Sequence, residues 1–269
     1  MLPAQMCAIA RSRLKKVHPR NRMSATAEAI LANLKIVADE RAHRVDAPGL
    51  AVKVLALKDY QQRRFAHTYA DLLTTARYGA AARFFLDELY GPSDFSRRDT
   101  QFARVVPALV RLFPSEVVQT VATLARLHAL SETLDTAMAD HLGNDTPITA
   151  RLYIRAWQAT GRVADRESQI ALTLEVASHL DRLTRKPLLR NSLRLMRGPA
   201  RAAGLGELQH FLENGFDTFR AMEGAQEFIG IVELREQALV SSLFQADAVN
   251  AMAGSAVDRA LACLPSINE

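Results

Sequence analysis

Apolar residues recur every three or four positions through almost the whole chain, and most glycines and prolines fall between those runs. Such spacing marks helices that each bury one face, while every Gly or Pro break fixes where one helix stops and the next can start. Alanine and leucine dominate, aromatics are only 6%, and no convincing alternating strand appears. The expected fold class is therefore all-α: a compact multi-helix bundle of about ten helices, with no sheet. With 269 residues the chain is long enough for a sizeable core. One domain over residues 23–269 is expected; if the chain divides, it divides at 143–147, the strongest internal punctuation.

The breaks order the helices. Ser24 or Thr26 suits the cap of a first helix running to about His43, and Asp46 to Gly49 is a turn. A long pattern from Leu50 to Thr75, interrupted near Lys58, leads into a helix over 77–90. Pro107 falls inside the next stripe, Phe102 to Phe113, and predicts a kink. Pro114-Ser115-Glu116 starts a helix reaching about Leu142, and Thr146-Pro147 reads as a cap followed by a first helical residue. Later helices are expected over about 150–160, 165–185, 187–196, 205–222 and 225–244, with a short one near 256–263.

Residues 77–99, RYGAAARFFLDELYGPSDFSRRD, crowd aromatics, acids and arginines as no other stretch does. Tyr78, Ala81, Ala82, Phe85 and Leu89 share a face, Arg83 and Asp87 point to water, and Gly91-Pro92 ends the helix. Ser96 with Asp99 three residues on predicts a capping box for the following helix. The segment Phe84-Phe85-Leu86-Asp87-Glu88-Leu89-Tyr90 resembles the signature of the bacterial FFLEELY motif family, with Asp87 where the family name has Glu. That resemblance implies a bacterial helical protein and supplies no mechanism or catalytic residue.

The net charge of +5 is unevenly placed: residues 1–22 carry six cations and no acid, which leaves the remainder at −1. Residues 1–22 read as a basic, disordered tail, with Met23-Ser24 resembling a natural start. Nucleic-acid contact is expected, if anywhere, through that tail. No run of about 18 apolar residues is present, so no membrane span is expected. Cys7 and Cys263 suggest no disulfide framework, and a reducing cytoplasm is the simplest compartment.

Common catalytic motifs are missing: there is no Gly-Lys pair, His-Glu-x-x-His, Cys-x-x-Cys or Gly-x-Ser-x-Gly. Glu40/His43 and Glu207/His210 have the spacing of di-iron bundles but project away from their apolar faces. His128 and His179 do project inward, and Glu175 lies one turn before His179; either histidine suits an axial haem ligand, a general base or a bonded core position. No metal site is expected, and no cofactor beyond a remote haem or iron.

The most informative charge is Arg235. Taking Phe228 as reference in the last long helix, Val232, Leu239 and Leu243 fall within about 60° of it, as does Arg235, with Glu236 at the edge. A buried guanidinium needs an acid, and Glu88, Asp94 and Asp99 of the aromatic corner are the expected partners. Two readings stand. The network clamps the C-terminal helix to the corner, or it lines a pocket that orients a polar ligand, with Tyr90 and Arg98 beside it. The function expected first is a non-enzymatic cytoplasmic interaction module or small-ligand binder, which also allows a homo-oligomer. A metal- or haem-dependent enzyme is the alternative, and tail-mediated nucleic-acid contact a third.

Overall fold

The computed structural model describes residues 19–88, 92–143, 147–245 and 264–265, with side chains from residue 26 onward. Among these residues there are twelve helices and no strand. They are α1 (Pro19–Asp46), α2 (Leu50–Thr68), α3 (Ala70–Thr74), α4 (Gly79–Glu88), α5 (Ser96–Leu112), α6 (Ser115–Asp140), α7 (Ala150–Thr160), α8 (Val163–Thr184), α9 (Pro187–Leu195), α10 (Arg197–Ala202), α11 (Gly206–Ala221) and α12 (Gln226–Leu243). No described helix is long and apolar enough to cross a membrane. The expectations for residues 1–18, Tyr90, the Gly91 stop, the Thr146 cap and a helix over 256–263 lie outside the described residues.

Several boundaries differ from the sequence pattern, each for a local reason. α1 already includes residues 19–22, so neither Ser24 nor Thr26 caps it; Pro19 is tolerated because its missing N–H falls in the first turn. The long second pattern breaks at Tyr69, not near Lys58, and that break turns the Tyr69 ring into the core against Phe65 at 4.6 Å. α10 runs through Gly198-Pro199 because the proline lies within its first turn. α5 continues across Pro107 with Val106 and Val110 both buried. The cap of α7 is Thr149, whose hydroxyl accepts from the Leu152 N–H at 3.2 Å. At α5 the expected capping box is absent: Asp94 Oδ1 accepts the Ser96 N–H at 2.9 Å, which frees Asp99 to turn inward.

α6 is the central strut. α8 runs antiparallel to it, as shown by Gln169 donating to Ser131 at one end and Thr123 to Glu175 at the other. The buried apolar residues do not merge into a single core. One cluster joins the first half of α2 to the end of α6, to α7 and to the end of α12, through Leu57, Tyr60, Met138, Tyr153, Trp157 and Leu243. A second joins the end of α2 to α4, α8, α11 and the start of α12, through Phe65, Tyr69, Phe85, Phe219 and Phe228. The third joins α1, α5 and the start of α6, through Ile30, Leu34, Val106 and Ala125. Residues from both sides of 143–147 pack together in the first cluster. Charged side chains and open space occupy the region where the three meet.

Candidate functional site

That region is a cavity of ≈ 230 Å³. Its walls come from all three clusters, with Trp157 and Val240 from the first, Phe65, Phe85 and Phe228 from the second, and Leu34 and Ala125 from the third. Val121 and Asp135 both line it, and fourteen helical residues at 1.5 Å each make it about 20 Å long beside α6. A cavity walled mainly by apolar groups, with a few polar groups converging on it, is the usual form of a small-molecule site.

Its polar groups start from two helical patterns that face each other. Lys58, Gln61 and Arg64 recur every third residue on the inner side of α2, opposite Glu132 and Asp135 on α6. Glu132 is 3% exposed and anchors the strongest network. One carboxylate oxygen accepts from Arg44 at 2.6 Å, and the other from Lys58 at 2.8 Å and Arg41 at 3.4 Å. Arg44 also donates to the Glu132 carbonyl oxygen and to the Thr136 hydroxyl, so its guanidinium is well satisfied. Burial opposes ionisation of Glu132, but the charges of Lys58 and Arg44 overcome it and hold the carboxyl down at about 2.

Asp135 behaves in the opposite way. Burial pushes its pKa up, because Lys58 lies 4.0 Å away and Gln61 donates only a neutral hydrogen bond at 3.0 Å. A carboxyl raised on folding incurs no penalty below its unfolded pKa and the full penalty above its folded one. Asp135→Asn is therefore expected to raise the melting temperature at pH 7 and to lose that gain as the pH falls through the carboxylate range. Thermal melts of both proteins across that range check it.

At the same end, Arg166 is 3% exposed and lies over the Trp157 ring at 3.9 Å. Its guanidinium donates to Gln169 Oε1 at 3.1 Å and to the Met138 sulfur at 3.6 Å, and forms no ion pair among the described residues. The Trp157 indole N–H is buried without a hydrogen-bond partner among the described residues. Nearby, Glu236 accepts from Arg64 at 2.5 Å and from the Tyr69 hydroxyl at 2.7 Å.

The aromatic corner supplies the far end. Arg98 is held between the Phe95 and Phe211 rings at 4.0 and 4.3 Å and donates to the Glu88 carbonyl oxygen at 3.0 Å, with its carboxylate at 3.5 Å. Asp99 pairs with Arg41 at 2.9 Å and with His128 Nε2 at 3.0 Å. Burial works against ionisation of Asp99, yet the His128 hydrogen bond and the adjacent cations keep its pKa below the usual value. An ionised carboxylate only accepts, so Nε2 of His128 carries the proton. Asp94 is exposed and, among the described residues, accepts hydrogen bonds from Ser96 alone.

The expected Arg235 network is corrected by these contacts. Arg235 is bidentate to Asp71, both bonds 2.7 Å, and donates to the Thr68 carbonyl oxygen. None of Glu88, Asp94 and Asp99 reaches it, and Asp71 is 58% exposed. The buried face of α12 lies to one side of the Phe228–Arg235 direction that the apolar spacing predicts. Ile229 and Val240 are buried with Phe228, Leu239 and Leu243, and at about 100° per residue their mean direction falls near Glu236, with Arg235 at the rim. Arg235→Ala is accordingly expected to cost about 1 kcal/mol or less, and Asp87→Ala, on an exposed position, nothing measurable. Urea unfolding of the two variants checks both.

The sequence-predicted residues thus separate. Glu236 with Arg64, and Asp99 with His128 and Arg98, lie on the cavity wall. Glu88 braces Arg98, whereas Arg235 and Asp94 lie elsewhere. His179 has its Nδ1 buried without a partner among the described residues and Nε2 3.9 Å from Glu175. Among the described residues, no three His, Cys, Asp or Glu side chains group to hold a metal ion. Sequence reasoning missed Lys58, Arg64, Glu132, Asp135, Trp157 and Arg166. Their signal was the polar triplet on α2 lying in register between Leu57 and Phe65, and the acids flanking Leu134 on α6.

Fold and cavity together define an all-helical protein with a mainly apolar interior space onto which a few charged groups converge. The chain belongs to the family described as Domain of unknown function (DUF8198), whose model matches residues 40–250. No curated protein and no solved structure matches the chain.

Proposed function

We propose that this protein is a non-catalytic binder of a small ligand, which it encloses in the cavity between α2, α6, α8 and α12; that it is bacterial, as the FFLEELY resemblance implies; and that it acts in the cytoplasm, the simplest compartment for a chain without a disulfide framework. The observation that carries the reading is the meeting of three separate clusters around open space. A chain selected for stability alone would close such a gap, since voids forfeit contacts along their whole lining. His179 is not on the cavity wall, and His128, which is, has its Nε2 held by Asp99. The cavity gives no support to nucleic-acid contact through residues 1–22 or to homo-oligomer formation.

Decanol, a neutral apolar molecule, tests occupancy. A ligand that binds only the folded state raises the melting temperature with its concentration. The reading expects a saturable rise. A melting temperature that stays constant or only falls with added decanol contradicts it.

A further inference from the structure

The charges around the cavity do not balance. Arg41, Arg44, Lys58, Arg64, Arg98 and Arg166 face Glu88, Asp99, Glu132, Asp135 and Glu236, all within one connected set of contacts or on the cavity wall. Five of those cations have a carboxylate at 3.5 Å or closer, and Arg166 has none among the described residues. Asp135 acts on Arg166 through space, but it has Lys58 at 4.0 Å and makes no hydrogen bond to Arg166 among the described residues.

Arg166 contrasts with Arg44, the other deeply buried guanidinium. Arg44 spends its donors on a carboxylate, a carbonyl and a hydroxyl. Arg166 has one amide oxygen, one thioether and a ring face, which leaves donors of its planar fork unused. A buried cation with no carboxylate bonded to it is costly even where an acid such as Asp135 acts on it through space, and an anion seated against it completes it. The N–H of Trp157, the ring over which Arg166 lies, is a second donor without a partner among the described residues. Stacking on Trp157 fixes the plane of the guanidinium, and a planar fork fits a carboxylate through two parallel hydrogen bonds. The imbalance is one charge, which suits a monoanion better than a phosphate dianion. Away from this end the α6–α8 wall is mainly apolar, with Val121, Leu124, Ala125, Leu174 and Val176 beside His128 and Thr173.

We propose that the Arg166–Trp157 end of the cavity binds the carboxylate of a small monoanion whose apolar body extends along α6 and α8. This rests on the reading of the cavity as a ligand site and goes further by naming the ligand class. Titration calorimetry with decanoate, decanol and decylamine separates the two claims. The expected order for the intact chain is decanoate roughly tenfold tighter than decanol, with decylamine weakest. Arg166→Gln should bring decanoate down to the level of decanol and leave decanol unchanged. Arg166→Lys keeps the charge without the fork, and should retain only part of the preference. Decanol binding by each variant shows that it is folded. Equal affinity for decanoate and decanol in the unaltered protein overturns the carboxylate assignment while sparing the cavity reading, as does an undiminished preference in a folded Arg166 variant. If none of the three binds, the cavity reading itself falls.

Discussion

Glu132→Gln is expected to be the most damaging single change, lowering stability by about 3–5 kcal/mol, because it leaves Arg44 and Lys58 buried without their shared counter-charge. At roughly 2–4 °C per kcal/mol for a chain of this size, the melting temperature should fall by about 10 °C. The pH dependence follows from the depressed carboxyl, at about 2 when folded against 4.5 as the ordinary value. A folded pKa below the unfolded one means that the stabilisation is complete above about 4.5 and is lost as the pH falls toward about 2. The gap between the two proteins should therefore be widest at neutral pH and narrow progressively across that window. Adding Arg44→Met and Lys58→Met to Glu132→Gln should recover part of the loss, since it removes the stranded cations. Equal melting temperatures of Glu132→Gln and the unaltered chain at pH 7 would show that Arg44 and Lys58 do not depend on Glu132.

The second large effect lies at the aromatic corner. Phe84 is 5% exposed, stacks on Phe211 with ring centroids 5.6 Å apart, and meets Phe85 edge-on at 6.2 Å. Phe84→Ala should cost about 3–5 kcal/mol by the cavity it opens. Gly215 shows how tightly that ring is fitted. A Cβ added there would come within 2.9 Å of Phe84 Cζ, so α11 approaches α4 as closely as it does only because this residue has no side chain. Gly215→Ala should therefore destabilise the protein by about 1–3 kcal/mol, despite alanine being the better helix former. In the Phe84→Ala background the sign should reverse, with Gly215→Ala stabilising by several tenths of a kcal/mol or more as helix propensity is restored and part of the void is filled. Equilibrium unfolding of the four proteins of this cycle measures the coupling. Simple additivity would show that the glycine and the ring do not meet.

Much of the helical order was legible because local signals and packing agree. The Asp46–Gly49 turn, the restart at Pro114-Ser115, the stop at Gly161 and the corner helix all fall within a few residues of their expected places. Boundaries failed where a side chain had a tertiary role. Tyr69 breaks a helix to reach the core and Glu236, and Asp99 leaves a local capping box for His128 and Arg41.

The site was less legible. Periodicity within a single helix places a face only to within a turn, and that error exchanged Glu236 for Arg235. Glu132 and Arg44, 88 residues apart, are joined only once α1 is laid against α6. Nothing local in either segment distinguishes such a pair from two solvated charges. The cavity itself arises from how three clusters fail to merge, which is a property of packing and has no sequence motif.

Trp157 is the chain's one tryptophan and stands on the cavity wall, so its emission reports occupancy without a label. Titrating the unaltered protein with decanoate while recording that emission tests the central claim most directly. A saturating change in emission, accompanied by a rise in melting temperature over the same concentrations, is the predicted result. Emission and melting temperature both unmoved by decanoate would contradict it, and would leave the buried charges as braces of the fold alone.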